Sequence, residues 1–168
     1  MGIPENDFTW LCQYTDLAAS NVEWINPALE WIKDNEPQHE YSICHGDYHL
    51  RNVIVDKGVV RGVVDWVNVC IDDPLRDVAS TFVMGMEAGT RFMPDRAADI
   101  RIRSDRTLDS YRGRDDFDMF RFQYYQAFKC LLIMLAYEHG VEFYGRFGII
   151  DAILKRFHKL TGVEIQLK

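Results

Sequence analysis

Three side chains with acceptor oxygens, Asp47, Asn52 and Asp65, fall within one short stretch of the sequence. Asp47 follows Gly46, a residue type that lets the backbone approach a ligand closely. Phosphoryl transfer from a nucleotide needs a carboxylate near the attacking hydroxyl, and it needs oxygen ligands for Mg²⁺ on the phosphates. The stretch offers groups of both kinds, and it is therefore the first candidate for a functional site.

Two other kinds of site are alternatives for the same stretch. His45, His49 and Cys44 stand close together and contain the nitrogen and sulfur atoms that zinc prefers. His45 and His49 are four residues apart and would share one face of a helix, but Gly46 between them makes a helix improbable. Zinc is therefore the weaker interpretation. Cys44 beside a histidine has the make-up of a thiol nucleophile. It ends a strand-like apolar run, from Tyr41, and an inert core cysteine is the simpler expectation.

A β-hairpin is predicted to bring the oxygen ligands together. Residues 52–56 and 59–65 are rich in β-branched side chains, and the turn sequence Asp-Lys-Gly at 56–58 lies between them. Antiparallel pairing about this turn places Asp65 within a residue or two of Asn52 across the ladder. Two ligands that are distant in sequence are thus expected at one end of one hairpin.

The remaining segments have helical periods. Apolar spacing and capping signals predict helices from Ser20 to about Asn35, from Asp73 and Pro74 to Gly89, from about Arg101 to Tyr111, from Asp115 to His139, and from Phe147 to Leu160. The inward side of the longest helix is predicted to carry Phe117, Phe120, Tyr124, Phe128, Leu131, Leu132 and Leu135. The expected fold class is mainly α (α+β). One domain is expected over residues 1–168, with a lead-in and helix at 1–40, the loop and hairpin at 41–66, and a helical body at 67–168.

Composition and charge argue against several classes of protein. The net charge is −7 and no run of Lys or Arg occurs, so nucleic acid is not an expected partner. The longest apolar run, Cys130 to Tyr137, is far shorter than the ~20 residues that cross a bilayer. The first residues lack the pattern of a signal peptide. The four cysteines are scattered, which suits a reducing compartment. We expect a cytoplasmic protein without a membrane partner.

Two blocks of the sequence carry a resemblance to a known family. His45-Gly46-Asp47-x-x-x-x-Asn52, followed by Val64-Asp65-Trp66, resembles the catalytic core of the aminoglycoside phosphotransferase and choline kinase-like family, which are small-molecule relatives of protein kinases. The run 65–79 is similar to the family pattern D-W-x-D-x-x-x-G-D-P-x-x-D-L-A. It departs from that pattern at Asn68, in place of a carboxylate, and at Asp72, in place of the usual glycine.

The resemblance implies a fold and a role for each site residue. The fold would be the helical C-terminal lobe of a protein kinase-like fold, with the hairpin carrying the catalytic loop. Asp47 would accept or orient the proton of the attacking hydroxyl, and Asn52 and Asp65 would hold Mg²⁺ on ATP or another nucleoside triphosphate. His45 would brace the loop. Asp77 would support it through backbone hydrogen bonds, although a carboxylate at a helix start is an equally good reading.

The resemblance also implies partners. Too few residues precede His45 for a β-rich lobe with a glycine-rich loop and a lysine, so an N-terminal nucleotide-binding lobe is an expected partner. The acceptor would be a hydroxyl of a small molecule such as an aminoglycoside or choline. Four carboxylates near helix ends would suit a cationic acceptor: Glu87, Asp115, Asp116 and Glu138. A solvated acidic surface is the simpler interpretation of these residues. A catalytically silent kinase-like binding module and a Mg²⁺-dependent phosphate hydrolase are the alternative functions.

Overall fold

The computed structural model describes residues 24–38, 41–114 and 117–167 of the chain. The α-helices in these ranges are α1 (Ile25–Asp34), α2 (Leu75–Val83), α3 (Thr90–Phe92), α4 (Ala97–Arg112), α5 (Met119–Glu138) and α6 (Ile149–Thr161). A π-helical stretch, Met84–Gly89, joins α2 to α3. The strands are β1 (Ser42–Cys44), β2 (Val53–Asp56), β3 (Val59–Val63) and β4 (Cys70–Asp72). The predicted mainly helical class is confirmed.

Helix α5 is the centre of the hydrophobic core. It packs against α2 and α6, and also against α1. Most of its circumference is buried, which is typical of a helix that is apolar nearly all round. Four of the residues predicted to face inward are buried: Tyr124, Phe128, Leu131 and Leu135. The prediction for Phe120 is wrong, because α5 begins at Met119 and, in its first turn, Phe122 is buried whereas Phe120 is 50% accessible.

The strands form two separate antiparallel pairs. In the β2–β3 hairpin, Val53 pairs with Val63, and the turn residues Lys57 and Gly58 have φ angles of 48° and 78°. Two positive φ angles suit the tight turns whose twist matches that of the strands, so the predicted hairpin is confirmed. The second pair joins β1 to β4. Strand β4 was not predicted, because its three residues are too few to show a period.

The predicted end of the second helix at Gly89 is wrong, because the helical path continues through the π-helical stretch to Phe92. A Cβ atom on Gly85 would lie 2.5 Å from Ser104 Oγ on α4. A Cβ on Gly89 would lie 3.5 Å from Ile100 Cγ2, on the same helix. Gly85 therefore lets α4 approach closely, whereas a Cβ on Gly89 would make only an ordinary van der Waals contact. Neither glycine ends the helix.

Two other helix ends agree with the sequence. Helix α6 ends at Gly162, whose φ is 75°, and Gly140 after α5 has a φ of 86°. Glycine adopts this left-handed conformation without strain, and it often follows a helix. Helix α4 begins four residues before the predicted Arg101, at Ala97. The capping box predicted at residues 20–23 lies outside the described residues. No helix within the described ranges is long and apolar enough to cross a membrane.

Candidate active site

The loop of residues 45–49, called here the Asp47 loop, follows β1 and is held by one face of α2. The Asp77 carboxylate accepts hydrogen bonds from the backbone N–H of His45 at 2.6 Å and from that of Gly46 at 2.9 Å. Thr81, one turn further along α2, donates its hydroxyl to the backbone carbonyl of Tyr48. Residues four apart share a helix face, so Asp77 and Thr81 anchor the loop together.

These are the backbone contacts that the resemblance implies for Asp77, and its part in a reaction stays a prediction. Thr81 was missed by the sequence analysis. The one sequence signal that could have pointed to it is its spacing of four residues from Asp77 on the same helix.

His45 joins the Asp47 loop to the end of β3. Its ring is buried, with 2% of the residue accessible, and lies 4.6 Å from the ring of Trp66. Nε2 lies 2.8 Å from the carbonyl oxygen of Val64, and the backbone N–H of Asp47 donates to Nδ1 at 3.3 Å. The neutral tautomer with its proton on Nε2 satisfies both contacts. The imidazole is therefore placed as a brace between two backbone segments, the position that the resemblance implies.

Asn52 connects the Asp47 loop with the strand that precedes Asp65. The Asn52 carbonyl accepts the backbone N–H of Val64 at 2.9 Å, so Asp65 is one residue beyond the position opposite Asn52. The predicted register is confirmed by this hydrogen bond. The Asn52 side-chain amide donates from Nδ2 to the backbone carbonyl of Asp47 at 3.1 Å. With its NH₂ group used in this way, the acceptor that the side chain has for a ligand is Oδ1.

Asp65 has a left-handed backbone, with φ 66° and ψ 55°, and its side chain is exposed. This conformation is uncommon for residues other than glycine, and such backbone strain is concentrated at functional sites. The neighbours of Asp65 are fixed on both sides. His45 contacts the Val64 carbonyl, and Trp66 donates Nε1–H to the Val63 carbonyl at 2.8 Å. An exposed carboxylate thus stands on a well-anchored backbone.

Asp47 has a basic neighbour at each of its carboxylate oxygens. Lys129 Nζ lies 3.7 Å from Oδ1, and His49 Nε2 lies 3.5 Å from Oδ2. Lys129 belongs to α5, and its burial lowers the pKa of the ammonium group. The negative charge of Asp47 raises this pKa, and the positive charge of Arg76 lowers it. The other ring nitrogen of His49, Nδ1, is buried and has no hydrogen-bond partner among the described residues.

Neither basic neighbour was foreseen. His49 was considered only as a ligand in the weaker zinc alternative, and no role beside Asp47 was predicted for it. Lys129 lies in an apolar helical stretch where no motif marks it. For His49, the available signal was its place two residues after Asp47.

The donor set fits a hard cation better than zinc. Asn52 offers an amide oxygen and Asp65 a carboxylate, and Mg²⁺ takes one or two such protein ligands beside phosphates and water. Within the described ranges, no group of three or more His, Cys, Asp or Glu side chains is arranged to hold a metal ion. Cys44 is 1% accessible, and its sulfur lies 3.3 Å from the carbonyl oxygen of Asp73. Cys44 is therefore a core residue, as expected.

The departure from the family pattern at Asp72 has a structural use. The buried carboxylate of Asp72 accepts the hydroxyl of Tyr125 at 2.7 Å, and Arg76 Nη1 lies 3.8 Å from its other oxygen. Burial raises the pKa of Tyr125, and the negative charge of Asp72 adds to that effect. Asp72 thus connects β4 with α5 through a buried polar contact. The second departure, Asn68, has its backbone carbonyl against Gly46.

Asp73 begins α2 as predicted. Its Oδ1 accepts the backbone N–H of Leu75 at 2.8 Å, and Oδ2 lies 3.0 Å from Arg121 Nη1 on α5. Pro74, between Asp73 and Leu75, already has helical angles, φ −54° and ψ −28°. The side chain of Asp73 therefore caps the helix that carries Asp77.

Among the carboxylates that would suit a cationic acceptor, Glu87 is already neutralised. One of its oxygens lies 2.9 Å from Arg91 Nη1, and the other lies 2.5 Å from Arg156 Nη2. Its side chain is 13% accessible. Asp115 and Asp116 lie outside the described residues. Glu87 is therefore a structural ion-pair partner that joins the π-helical stretch to α6.

Comparisons with known proteins indicate the family of the chain. Residues 4–114 match the profile of the phosphotransferase enzyme family. Acyl-CoA dehydrogenase family member 11 of Gallus gallus is 31% identical over 75 residues, which is 42% of this chain and 10% of that protein. The match thus spans about a tenth of the length of this curated relative.

Proposed function

The chain belongs to the phosphotransferase enzyme family, and from this premise we propose that it is the C-terminal catalytic lobe of an ATP-dependent enzyme that phosphorylates a hydroxyl of a small molecule. Family membership indicates phosphoryl transfer of the kinase type in general. The network that ties Asp47, Asn52 and the Val64–Asp65 backbone together is the observation that supports the finer proposal. Because of these hydrogen bonds, the proposed base Asp47 and the proposed ligands Asn52 and Asp65 belong to one connected framework.

The proposed reaction assigns each group a step. The Asp47 side chain is 33% accessible, and it accepts the proton of the acceptor hydroxyl as that oxygen attacks the terminal phosphorus of ATP. The bond between this phosphorus and the bridging oxygen breaks, and ADP leaves. Asn52 and Asp65 would hold Mg²⁺, which when bound neutralises charge on the phosphates. His45 and Asp77 keep the Asp47 loop in place.

A nucleotide-binding lobe is the proposed partner of this chain. The β2–β3 hairpin presents apolar side chains to solvent, and four of them are at least half accessible: Ile54, Val55, Val59 and Val60. Val55 and Val60 are cross-strand partners, so their side chains lie on the same face of the hairpin. Exposed apolar surface of this kind often marks an interaction site. We propose that the nucleotide lobe covers the hairpin and places ATP next to Asn52 and Asp65.

Binding of Mg²⁺-ATP is the first experiment for the proposal. Isothermal titration of the chain, alone and with a nucleotide lobe from a family member supplied, should show binding in the presence of Mg²⁺. Replacing Val60 with Lys should weaken binding in the two-lobe sample, because a charge would be buried at the proposed interface. The matched control is Ile102→Lys, which changes an exposed residue of α4 that is 50% accessible. An absence of binding in both samples contradicts the enzyme proposal and favours the silent binding module.

Turnover is the second experiment. A panel of small hydroxyl compounds, cationic and neutral, is assayed for ADP formation and for the phosphorylated product. Asp47→Asn should lower kcat by about 10²–10⁴-fold, as expected for the loss of a general base. The control Asp105→Asn, on the exposed side of α4, should retain full activity. Mg²⁺-dependent phosphate release that needs no acceptor would instead identify a hydrolase.

A further inference from the structure

We propose that Lys129 is a positioning residue of the reaction, which holds the Asp47 carboxylate through an ion pair with Oδ1. The two atoms Lys129 Nζ and Asp47 Oδ1 lie 3.7 Å apart. This inference rests on the proposed function and adds a residue to it. Lys129 follows the part of the chain that matches the family profile, which ends at residue 114.

The position of Lys129 is set by the hydrophobic core. Its neighbours in α5, Phe128 and Cys130, are 3% and 0% accessible, and the helix is packed between α2 and α6. The side chain of Lys129 is itself only 13% accessible. A group presented by a packed helix is held more accurately than one on a loop. Lys129 therefore fixes the Asp47 side chain relative to the core.

The electrostatics of Lys129 depend on Asp47. A buried ammonium is costly unless an opposite charge compensates it. The charges that act on Lys129 are Asp47 and Asp77, which favour its protonated form, and Arg76, which opposes it. Among these, Asp47 acts most strongly and also forms the ion pair. Lys129 and Asp47 thus stabilise each other, and removal of either leaves a poorly compensated charge.

The pair completes the set of contacts around Asp47. The backbone N–H of Asp47 donates to His45 Nδ1, its carbonyl accepts from Asn52, and Oδ2 lies near His49. Lys129 anchors the remaining oxygen, Oδ1. Reactions that depend on a near-attack geometry lose about 10²-fold for a displacement of about 1 Å. A side chain with contacts at every polar atom is protected against such a displacement.

A purely structural role is the competing reading, in which Lys129 only balances the charge of Asp47 for folding. The two readings differ in what they predict for the folded protein. A structural role changes the free energy of unfolding but leaves kcat per folded molecule unchanged. A positioning role lowers kcat in protein that is fully folded, and a side chain that keeps the charge restores it.

The first test measures the ion pair without nucleotide or acceptor. Lysine side chains are labelled with ¹³C and ¹⁵N, and the Lys129 signal is assigned by its absence in Lys129→Met. Because the charge of Asp47 raises the pKa of Lys129, Asp47→Asn should lower that pKa further. The control Asp105→Asn should leave it unchanged. A Lys129 pKa that does not respond to Asp47→Asn overturns the pair, and so the proposal, whatever the protein catalyses.

The second test measures turnover of the two-lobe protein. Lys129→Met should lower kcat by about 10²-fold while the KM for Mg²⁺-ATP changes much less. Lys129→Arg should recover most of kcat, because the guanidinium keeps a positive charge near Oδ1. The matched control is Lys155→Met, at an exposed position of α6. An unchanged kcat in folded Lys129→Met overturns the positioning role. If the unmodified protein phosphorylates no acceptor, the proposed function fails and the positioning role fails with it, while the NMR titration still reports on the ion pair.

Discussion

The carboxylate of Asp77 holds the backbone of His45, whose N–H group donates to Oδ2 at 2.6 Å. The second oxygen, Oδ1, accepts the N–H of Gly46 at 2.9 Å. Hydrogen bonds to an ionised acceptor are about twice as strong as bonds between neutral groups. The first turn of α2 is thus tied to the two residues that precede Asp47, and the position of the candidate base depends on a helix start.

Replacing Asp77 with Asn should weaken this link. The amide has one acceptor oxygen and one NH₂ group, which cannot accept from a backbone N–H. We expect the free energy of unfolding to fall by about 1–3 kcal/mol, the usual effect of leaving a partly buried donor without its acceptor. We expect kcat to fall about tenfold or more, because the Asp47 loop shifts. Urea denaturation and a turnover assay measure the two effects.

The control for this substitution is Asp105→Asn, which changes the same side chain at an exposed position of α4. It should alter the free energy of unfolding by less than about 0.5 kcal/mol, as is usual for surface positions. If Asp77→Asn behaves like Asp105→Asn in both assays, then Asp77 does not support the loop.

Thr81→Val should loosen the other end of the Asp47 loop. Valine keeps the shape of threonine but cannot donate to the Tyr48 carbonyl. The expected loss of stability is about 0.5–1.5 kcal/mol, with a parallel loss of turnover. The matched control is Thr107→Val. The hydroxyl of Thr107 donates at 2.9 Å to the backbone carbonyl of Arg103, at an exposed position of the same helix. Equal turnover in the two variants would show that Thr81 does not hold the loop.

Gly46→Ala should disrupt the loop at its start. Gly46 has a φ of 80°, and a Cβ atom there would overlap the backbone carbonyl of Asn68. The left-handed conformation and the overlap together should cost about 1–3 kcal/mol of stability. The control is Gly62→Ala in β3, where a Cβ would meet nothing within 4 Å. Urea denaturation of both variants checks this, and equal midpoints would contradict the close contact with Asn68.

The hairpin could be predicted from the sequence because its determinants are local. The turn at 56–58 sets the pairing, and counting outward from it places Asn52 near the residues before Asp65. A bulge between Ile54 and Val55 shifts the count by one residue. As a result Asn52 lies opposite Val64. The predicted offset of a residue or two between Asp65 and Asn52 includes this shift, but the sequence does not show where the bulge lies.

The contacts that reach the Asp47 loop from other helices could not be predicted in the same way. Asp77 was found through the family pattern, which includes its position. Thr81 and Lys129 look like ordinary helix residues, and only the packing of α2 and α5 brings them to the loop. Gly89 was also misleading, because a glycine inside a continuous helical path has the same sequence signature as one that ends a helix. The ligand roles of Asn52 and Asp65 stay predictions.

Buried acidic groups in α5 should make the fold sensitive to alkaline pH. Cys130 is fully buried, and burial raises the pKa of its thiol from 9.0 to about 12. Burial also raises the pKa of the neighbouring phenols of Tyr124 and Tyr125. A raised pKa in the folded state means that the unfolded chain loses its proton first. Stability is therefore complete below the unfolded pKa and falls as pH rises above it.

Between pH 9 and pH 12, the Cys130 thiol should account for a loss of up to about 1.4 kcal/mol per pH unit, which is the value for one proton. Cys130→Ala removes that proton, so its free energy of unfolding should decline less steeply over the same range. Urea denaturation under reducing conditions at several pH values measures both slopes, and the values at neutral pH give the cost of the cavity separately.

Tyr125→Phe should reduce the slope of the free energy of unfolding against pH only above about pH 10, where an unfolded phenol ionises. Identical slopes for Cys130→Ala and the unmodified protein would show that the thiol ionises equally in both states.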